Sequence, residues 1–369
     1  MARRWVLFLI VAAAFVKSGF AVADEPFAGL FDVPARKVEL QRAEYAEIRA
    51  ACLAEAIEGR WSRLEPISRL KSTDEYGSDT SAEDFSWAIM VMAGHALAGE
   101  EEAGQSLFQL LDKWARADAF RETEEEYDPY YALKRLLLPT IVAYQIIAPD
   151  LNAEDSTRLK DWLDRLVRRI DAVFDKEVDR NNHRILADSV LSVWGSIIGD
   201  ETLIAKGVER FDRVLSEMRP DGTLPLEARR GARALWYQRQ TLSSLAVIAE
   251  VARGRGDDLY HERNDQGGSF ATLVGSLLNG LTSPLLVAVY SAENHIPGPE
   301  KNYLELDTSF LDRRGHGRHY MAWAEAARLR GAEMAFHRLD GLFIREIATE
   351  RPLIDEFAGG NATCFWGRP

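Results

Sequence analysis

Apolar residues recur at three- and four-residue spacing along most of the chain, the period of helices that bury one face. The spacing predicts helices over Val38–Ile57, Ala82–Gly99, Ala103–Arg116, Tyr131–Ile147, Ser156–Phe174, Arg184–Ile198, Thr202–Met218, Arg230–Ala252 and Phe270–Leu281. Glycine, proline and Asp/Asn clusters punctuate them, as in Ala148-Pro149-Asp150 and Arg219-Pro220-Asp221-Gly222. Strand-like alternation is confined to two short candidates, Pro284–Tyr290 and Leu342–Ile347. Helices joined by short loops pack as antiparallel hairpins. The expected fold class is therefore all-α, a layered or toroidal array of hairpins in one domain over residues 24–369. No exact repeat is visible, which argues against a short-repeat solenoid. Leu64 to Ser81 breaks the rhythm: it is polar and carries Lys71, Asp74, Tyr76, Gly77 and Asp79. An irregular stretch of that length inside a helical domain points to a functional or disordered loop.

The first residues change the picture of where the chain works. Arg3 and Arg4 precede an unbroken apolar run, Trp5 to Val16, and Ala21-Val22-Ala23 supplies a small-x-small cleavage pattern. Residues 1–23 thus read as a secretory signal, the run being shorter than the ~20 residues a membrane span takes. Export to the periplasm or beyond is the expectation, with no membrane association after cleavage. Such a compartment permits a disulfide between Cys52 and Cys364, the only two cysteines; two buried thiols are the alternative.

Composition narrows the partners. With 45 Lys+Arg against 58 Asp+Glu, the formal charge is −13, which disfavours nucleic acid and anionic membranes as general partners. The charge is uneven. From Arg180 to Arg239 there are 10 Lys/Arg and 8 Asp/Glu, and Arg313, Arg314, His316, Arg318 and His319 form a second basic patch. An acidic protein with two basic patches suits one that admits an anion at a defined place.

Two segments carry candidate chemistry. Asp179-Arg180-Asn181-Asn182-His183-Arg184 stands where a loop enters a helix, and a helix N-terminus with Asp/Asn caps is a natural anion site. Leu224-Pro225-Leu226-Glu227-Ala228-Arg229-Arg230-Gly231-Ala232-Arg233-Ala234-Leu235-Trp236-Tyr237, if helical, puts Arg230, Arg233 and Tyr237 on one face. Periodicity alone leaves plainer readings open: a histidine cap, a solvated arginine face and a core tyrosine.

At these segments the sequence resembles the alginate lyases of polysaccharide lyase family 5. The resemblance lies in Asn181-Asn182-His183-Arg184, in Leu224 to Tyr237, in the loop with Tyr76-Gly77-Ser78-Asp79, and in the stretch from Arg351-Pro352-Leu353 to Gly359-Gly360. It implies an incomplete (α/α) toroid with a deep cleft that cleaves uronate polymers by β-elimination. Carried over by position, Asn182, His183, Arg230 and Tyr237 are the expected catalytic residues. Expected substrate contacts are Tyr76, Arg184, Arg233, Trp194, Arg314 and His319. The family often has histidine after the catalytic tyrosine, where Gln238 stands here, preceded by Trp236; that departure touches the subsites.

The chemistry explains why such residues are wanted. Elimination removes the C5 proton beside a carboxylate and expels O4. Asn182 and Arg230 would neutralise the carboxylate and stabilise the enolate-like transition state. Tyr237 would transfer the proton, which near neutral pH needs positive neighbours such as Arg230 and Arg233, since free tyrosine titrates at ~10. For β-D-mannuronate and β-D-glucuronate the resemblance implies that H5 and O4 are handled from one side, a task one tyrosine can perform. For L-guluronate a second group such as His183 would be needed. No cofactor and no metal is required: His316 and His319 lack an accompanying ligand set. The expected partner is an anionic polysaccharide, bound by a monomer. The leading expectation is a lyase of polymannuronate or alginate. Alternatives are a lyase of glucuronan or hyaluronan, a glycoside hydrolase with paired carboxylates, and a noncatalytic scaffold for polysaccharide secretion.

Overall fold

The computed structural model describes residues 26–73, 78–173, 181–292 and 305–369. The expected signal over residues 1–23, and with it Tyr76, Asp179 and Arg180, lie outside the described residues. The helices run α1 (Val33–Leu40), α2 (Ala46–Cys52), α3 (Glu83–Ala98), α4 (Glu101–Arg116), α5 (Tyr127–Ile147), α6 (Ala153–Val173), α7 (Asn182–Ile198) and α8 (Glu201–Glu217). They continue with α9 (Pro225–Ala228), α10 (Ala234–Gly254), α11 (Phe270–Thr282), α12 (Leu285–Ser291), α13 (Ala324–Ala327), α14 (Met334–Leu342) and α15 (Ala362–Trp366).

Burial sorts these into two rings. α3, α5, α7 and α10 are buried on nearly every side and pack in succession, α3 on α5, α5 on α7, α7 on α10. α4, α6 and α8 are amphipathic and lean their apolar stripes against this inner set from outside. The hairpin turns follow from local chemistry. Between α7 and α8 stand only Gly199, at φ 73°, and Asp200, whose carboxylate accepts from the N–H groups of Thr202 and Leu203. A left-handed glycine ends one helix and an acidic cap starts the next, worth about 1 kcal/mol for the cap. So tight a turn makes the two helices antiparallel neighbours. The result is the toroid of antiparallel hairpins expected from the period.

The ring does not close on helices. The C-terminal segment fills the gap between α10 and α3. Two short antiparallel pairs support it: β1 (Arg313–Arg314) with β2 (Arg318–His319), and β3 (Ile354–Asp355) with β4 (Gly360–Asn361). The turn Glu356–Ala358 between β3 and β4 packs on both α5 and α10. Cys364, on α15, is disulfide-bonded to Cys52 on α2, 312 residues away. Beside it, Arg36 donates to the backbone oxygens of Cys364, Thr363 and Gly367. Asn361 is buried and caps α15 through the N–H of Cys364.

Four elements differ from the sequence expectation. Val38–Ile57 is not one helix: α1 ends at Leu40 and α2 begins at Ala46 after a short turn, and nothing from there to Ile57 beyond Cys52 is helical. Pro284–Tyr290 is not a strand. α12 forms there instead, bent 102° from α11 at Ser283-Pro284, where proline cannot continue the first helix. Leu342–Ile347 is likewise helical, a wide turn over Phe343–Ile347 continuing α14. Short apolar runs are ambiguous by period, and packing decides these two. Finally, Arg230 precedes its helix: Gly231 has φ 57° and Gly231–Arg233 is a tight turn, so α10 starts at Ala234.

Among the described residues no single helix is long and apolar enough to cross a bilayer. The disulfide generates a test of this architecture. Cys52→Ala should lower unfolding stability by about 2–4 kcal/mol, the usual worth of a cross-link that constrains the unfolded chain. Reductant should lower the Tm of the parent protein to that of the variant and leave the variant unmoved; equal Tm values for parent and variant would contradict it.

Candidate functional site

A cleft of about 330 Å³ opens where the inner helices meet the C-terminal segment. α5 presents Tyr127, Tyr131 and Arg135 to it, at i, i+4 and i+8 on one helical face. The first turn of α7 supplies His183; the α9–α10 turn supplies Arg230 and Arg233; α10 supplies Trp236, Tyr237 and Gln240. Tyr320 and Phe357 come from the C-terminal third, and Ser78 from the end of the polar loop.

His183 is held in several ways at once. The side chain of Asn181 caps α7 by accepting from the His183 N–H, and Lys134 of α5 donates to the His183 carbonyl at 2.9 Å. Its ring stacks on Tyr131 at 4.0 Å and on Tyr127 at 4.5 Å between centroids. Burial, followed by the positive charges of Lys134, Arg230 and Arg135, holds the imidazole well below its ordinary range. It is therefore neutral at physiological pH, with one ring nitrogen able to donate and the other to accept. Asn182 lies one layer behind the cleft wall. Its amide donates to Gln240 Oε1, and Gln240 Nε2 donates to the Tyr131 hydroxyl at 3.1 Å.

Arginines and aromatic rings alternate around the opening. The Arg230 guanidinium lies 3.9 Å from the centre of the Tyr237 ring. Arg233 and Arg314 each lie 5.2 Å from Trp236, and Arg233 also reaches Asp307 at 3.5 Å. Arg230 and Tyr237 are both 6% exposed, so the attraction between cation and ring acts with little screening. Among the described residues the Arg230 Nε makes no hydrogen bond. Beneath the cleft, Glu356 pairs with Arg135 at 2.7 Å and with Arg318 at 3.1 Å. Burial would raise the Glu356 carboxyl, but these two guanidinium groups hold it below its ordinary value. Arg239, fully buried, faces Asp355 at 3.8 Å and lies under the rings of Tyr320, Phe357 and Trp236. Here burial wins over that ion pair and pushes Asp355 up to about 7.

The polar loop reaches the cleft by a braced stem. The backbone N–H groups of Phe120, Glu122 and Glu124 donate to the carbonyls of Ile67, Ser68 and Leu70. The acidic run Glu124-Glu125-Glu126 takes part in this brace, since Glu124 and Glu126 accept from Ser72. At the loop's far end Ser78 accepts from Arg135 at 2.8 Å.

Of the residues expected from sequence, His183, Arg230, Arg233 and Tyr237 line one cleft, with Asn182 directly behind and Arg314 at the rim. Three expected substrate contacts do not reach it. Arg184 turns outward to pair with Asp188 at 2.7 Å and Asp171 at 3.5 Å, in a separate charged pocket that includes Lys206 and Arg210. Trp194 is wholly buried and donates from Nε1 to Asp164. Its apolar bulk belongs to the α6–α7 packing. His319 is also wholly buried, accepts from the Met321 N–H, and is lowered by burial to about 4. The second basic patch is largely neutralised: Arg313 pairs with Glu55 and Glu350, His316 with Asp84, Arg318 with Glu83 and Glu356. Gln238, the departure from the family pattern, points away from the cleft and braces the turn at Gly222 and Leu224.

Sequence reasoning misses Tyr127, Tyr131, Arg135, Gln240, Tyr320 and Phe357. For the first three a signal exists, a stripe of tyrosine and arginine at four-residue spacing on an otherwise apolar helix. Gln240 has a weaker one, four residues after Trp236. Tyr320 and Phe357 arrive through long-range packing that no local pattern encodes.

Comparison with known proteins follows the same lines. An alginate lyase family model matches residues 63–285. A polysaccharide lyase of Stenotrophomonas maltophilia is 31% identical over 170 residues, 45% of this chain and 51% of that protein. An alginate lyase of Azotobacter chroococcum is 28% identical over 243 residues, 61% of this chain and 60% of that protein. The chain thus spans about half to three fifths of the length of these curated relatives. The crystal structure of alginate lyase A1-III from Sphingomonas species A1 superposes with a TM-score of 0.73 at 22% identity, covering 95% of this chain and 98% of that one. An alginate lyase from Bacteroides ovatus gives 0.61 at 15% identity, over 92% and 99%. Both have the same fold as this chain. With the matched region covering well over half the chain, and the motif residues gathered at one cleft, the chain belongs to the alginate lyase family.

Proposed function

We propose that this protein is an exported polysaccharide lyase that cleaves 4-linked uronate polymers, mannuronate-type alginate foremost, by β-elimination. The observation that carries the reading is the stacking of Arg230 on Tyr237 beside neutral His183, in a cleft walled by arginines and aromatic rings. The sugar ring of a uronate matches the aromatic walls of such a cleft, and its carboxylate matches the guanidinium groups.

In this mechanism Arg230 neutralises the carboxylate of the residue to be opened, while Asn182, behind the cleft wall, steadies Gln240 of the lining through its amide. The C5 proton then becomes removable, because the charge that develops on the carboxylate meets donors already in place. Tyr237 takes the C5 proton, the C4–O4 bond breaks and a C4=C5 double bond forms. O4 leaves with the preceding sugar and receives a proton from Tyr237, which regenerates a reducing end. The Arg230 guanidinium lies against the Tyr237 ring, where its charge can attract negative charge that develops on the ring during proton transfer. His183, uncharged and fixed between aromatic rings, completes the donor set around the carboxylate. Tyr127, Tyr131 and Trp236 offer faces for the sugars on either side. The substrate is the only partner required, and the chain acts as a monomer.

Arginines that rest on aromatic faces keep positive charge at the opening, which favours entry of an anionic polymer there. The signal pattern over residues 1–23 and the Cys52–Cys364 disulfide support an oxidising, exported setting such as the periplasm.

Four outcomes are expected. Polymannuronate, incubated with the mature protein, should develop ultraviolet absorbance from 4,5-unsaturated ends faster than polyguluronate does. A preference for polyguluronate would contradict the single-tyrosine, same-side mechanism, and reducing ends without absorbance would indicate a hydrolase. Tyr237→Phe should abolish the signal while binding persists. Arg230→Ala should lower kcat by about 10²–10³-fold, the usual loss when one transition-state donor is removed; kcat within tenfold of the parent would take Arg230 out of the mechanism. Expressed in a Gram-negative host, the protein should appear in the periplasmic fraction with a mass lacking residues 1–23. Full-length protein confined to the cytoplasm would refute export.

A further inference from the structure

Glu227 is 1% exposed and has no part in the mechanism above. It sits in α9, inside the second motif, yet its Oε1 accepts a hydrogen bond at 2.7 Å from the backbone N–H of Asn182, 45 residues away. That N–H opens α7 and carries the positive end of the helix dipole, where an anion is favoured. Three residues further along the chain from Glu227 stands Arg230, whose charge attracts the carboxylate. Among the described residues Oε2 makes no hydrogen bond. One carboxylate therefore touches the first motif and sits in the electric field of the second.

We infer that Glu227 is a positioning residue: ionised, it ties the first turn of α7, with Asn182 and His183, to the turn that carries Arg230, and the site is fully assembled only in that state. The inference rests on the lyase reading for its effect on turnover, but not for the coupling itself.

The surroundings make the ionised state sensitive to pH. Burial pushes the Glu227 carboxyl up to about 7, against the opposing pull of Arg230 and of the Asn182 N–H. Among the described residues, the elements packed near it bring the following groups. From α7 there is His183, held neutral. From α8 there is Glu217, which shares with Glu227 a pocket of about 340 Å³ walled by Ile185, Val214 and Leu224. From α10 comes Tyr237, under the Arg230 guanidinium, and α12 offers only Tyr290, which donates to Asp221. Protonation at lower pH removes the attraction to Arg230 and weakens the bond to Asn182, because hydrogen bonds to a charged acceptor are the stronger kind.

The test uses Glu227→Gln, which keeps an acceptor for the Asn182 N–H and cannot ionise. Parent kcat on polymannuronate should fall about tenfold or more as pH drops through about 7. The variant should show a low kcat without that limb and an almost unchanged KM. A limb persisting at the same midpoint in the variant, or a variant with parental kcat, would overturn the inference. A second readout needs no turnover. The ring resonances of His183, which does not itself titrate here, should step near pH 7 in the parent and stay flat in the variant. Absence of the step in the parent, or its survival in the variant, also counts against the coupling. Loss of all activity on uronate polymers in the parent would refute the lyase reading instead, leaving the His183 step to decide the inference. Stability gives the sign independently. With its folded value raised from 4.5 to about 7, Glu227 holds its proton in the native state across that window, so the parent loses stability relative to the variant as pH rises through it. A Tm difference that does not change over this range would remove the raised ionisation.

Discussion

The carboxylates of two adjacent residues, Asp355 and Glu356, hold the cleft together. Three arginines lie beneath or beside it, and a buried guanidinium without a counter-charge is costly. Glu356 serves Arg135 and Arg318 at once, while Asp355 faces Arg239. Both acids sit on the tail that fills the gap between α10 and α3, so ring closure and charge balance depend on the same few residues. Phe357, next in sequence, lines the cleft itself. The disulfide and the Arg36 contacts then anchor this tail to the N-terminal helices. The fold and the electrostatics of the site thus share one dependence.

This arrangement reconciles an acidic protein with the anionic substrate proposed for it. Most basic residues are spent on pairing: Arg184, Arg210 and Lys206 with Asp188 and Asp171, Arg313 with Glu55 and Glu350. Around the opening Arg230, Arg233 and Arg314 rest against aromatic faces, Arg233 also reaching Asp307. A ring face attracts a cation without cancelling its charge. Positive charge therefore survives at the cleft, which offers a polyanion a place to settle.

Helical period alone makes most of the toroid legible. α3, α4, α7 and α8 stand within a few residues of their expected places, because each is long, apolar on a regular face and closed by Gly, Asp or Glu. The failures fall where local pattern competes with packing. Seven residues, mostly apolar, suggest a strand where α12 forms, and the break between α1 and α2 hides inside one continuous period. The motif residues His183, Arg230, Arg233 and Tyr237 are legible because they cluster along the chain. Arg184, Trp194 and His319 mislead for a common reason: residue type suggests affinity for a sugar or an anion, whereas orientation and burial decide it. Nothing in the sequence marks Glu227 as a tie between segments, since its partner is a backbone N–H 45 residues away.

The proposed lyase activity stands or falls on whether this cleft breaks a glycosidic bond by elimination. A short mannuronate oligomer of defined length, treated with the mature protein and followed by mass spectrometry, tests it directly. Elimination consumes no water, so the two fragments of each cleavage should sum to the mass of the parent oligomer, the one from the reducing side carrying the C4=C5 double bond. Fragments that together exceed the parent by one water, or an oligomer that remains whole, would contradict it.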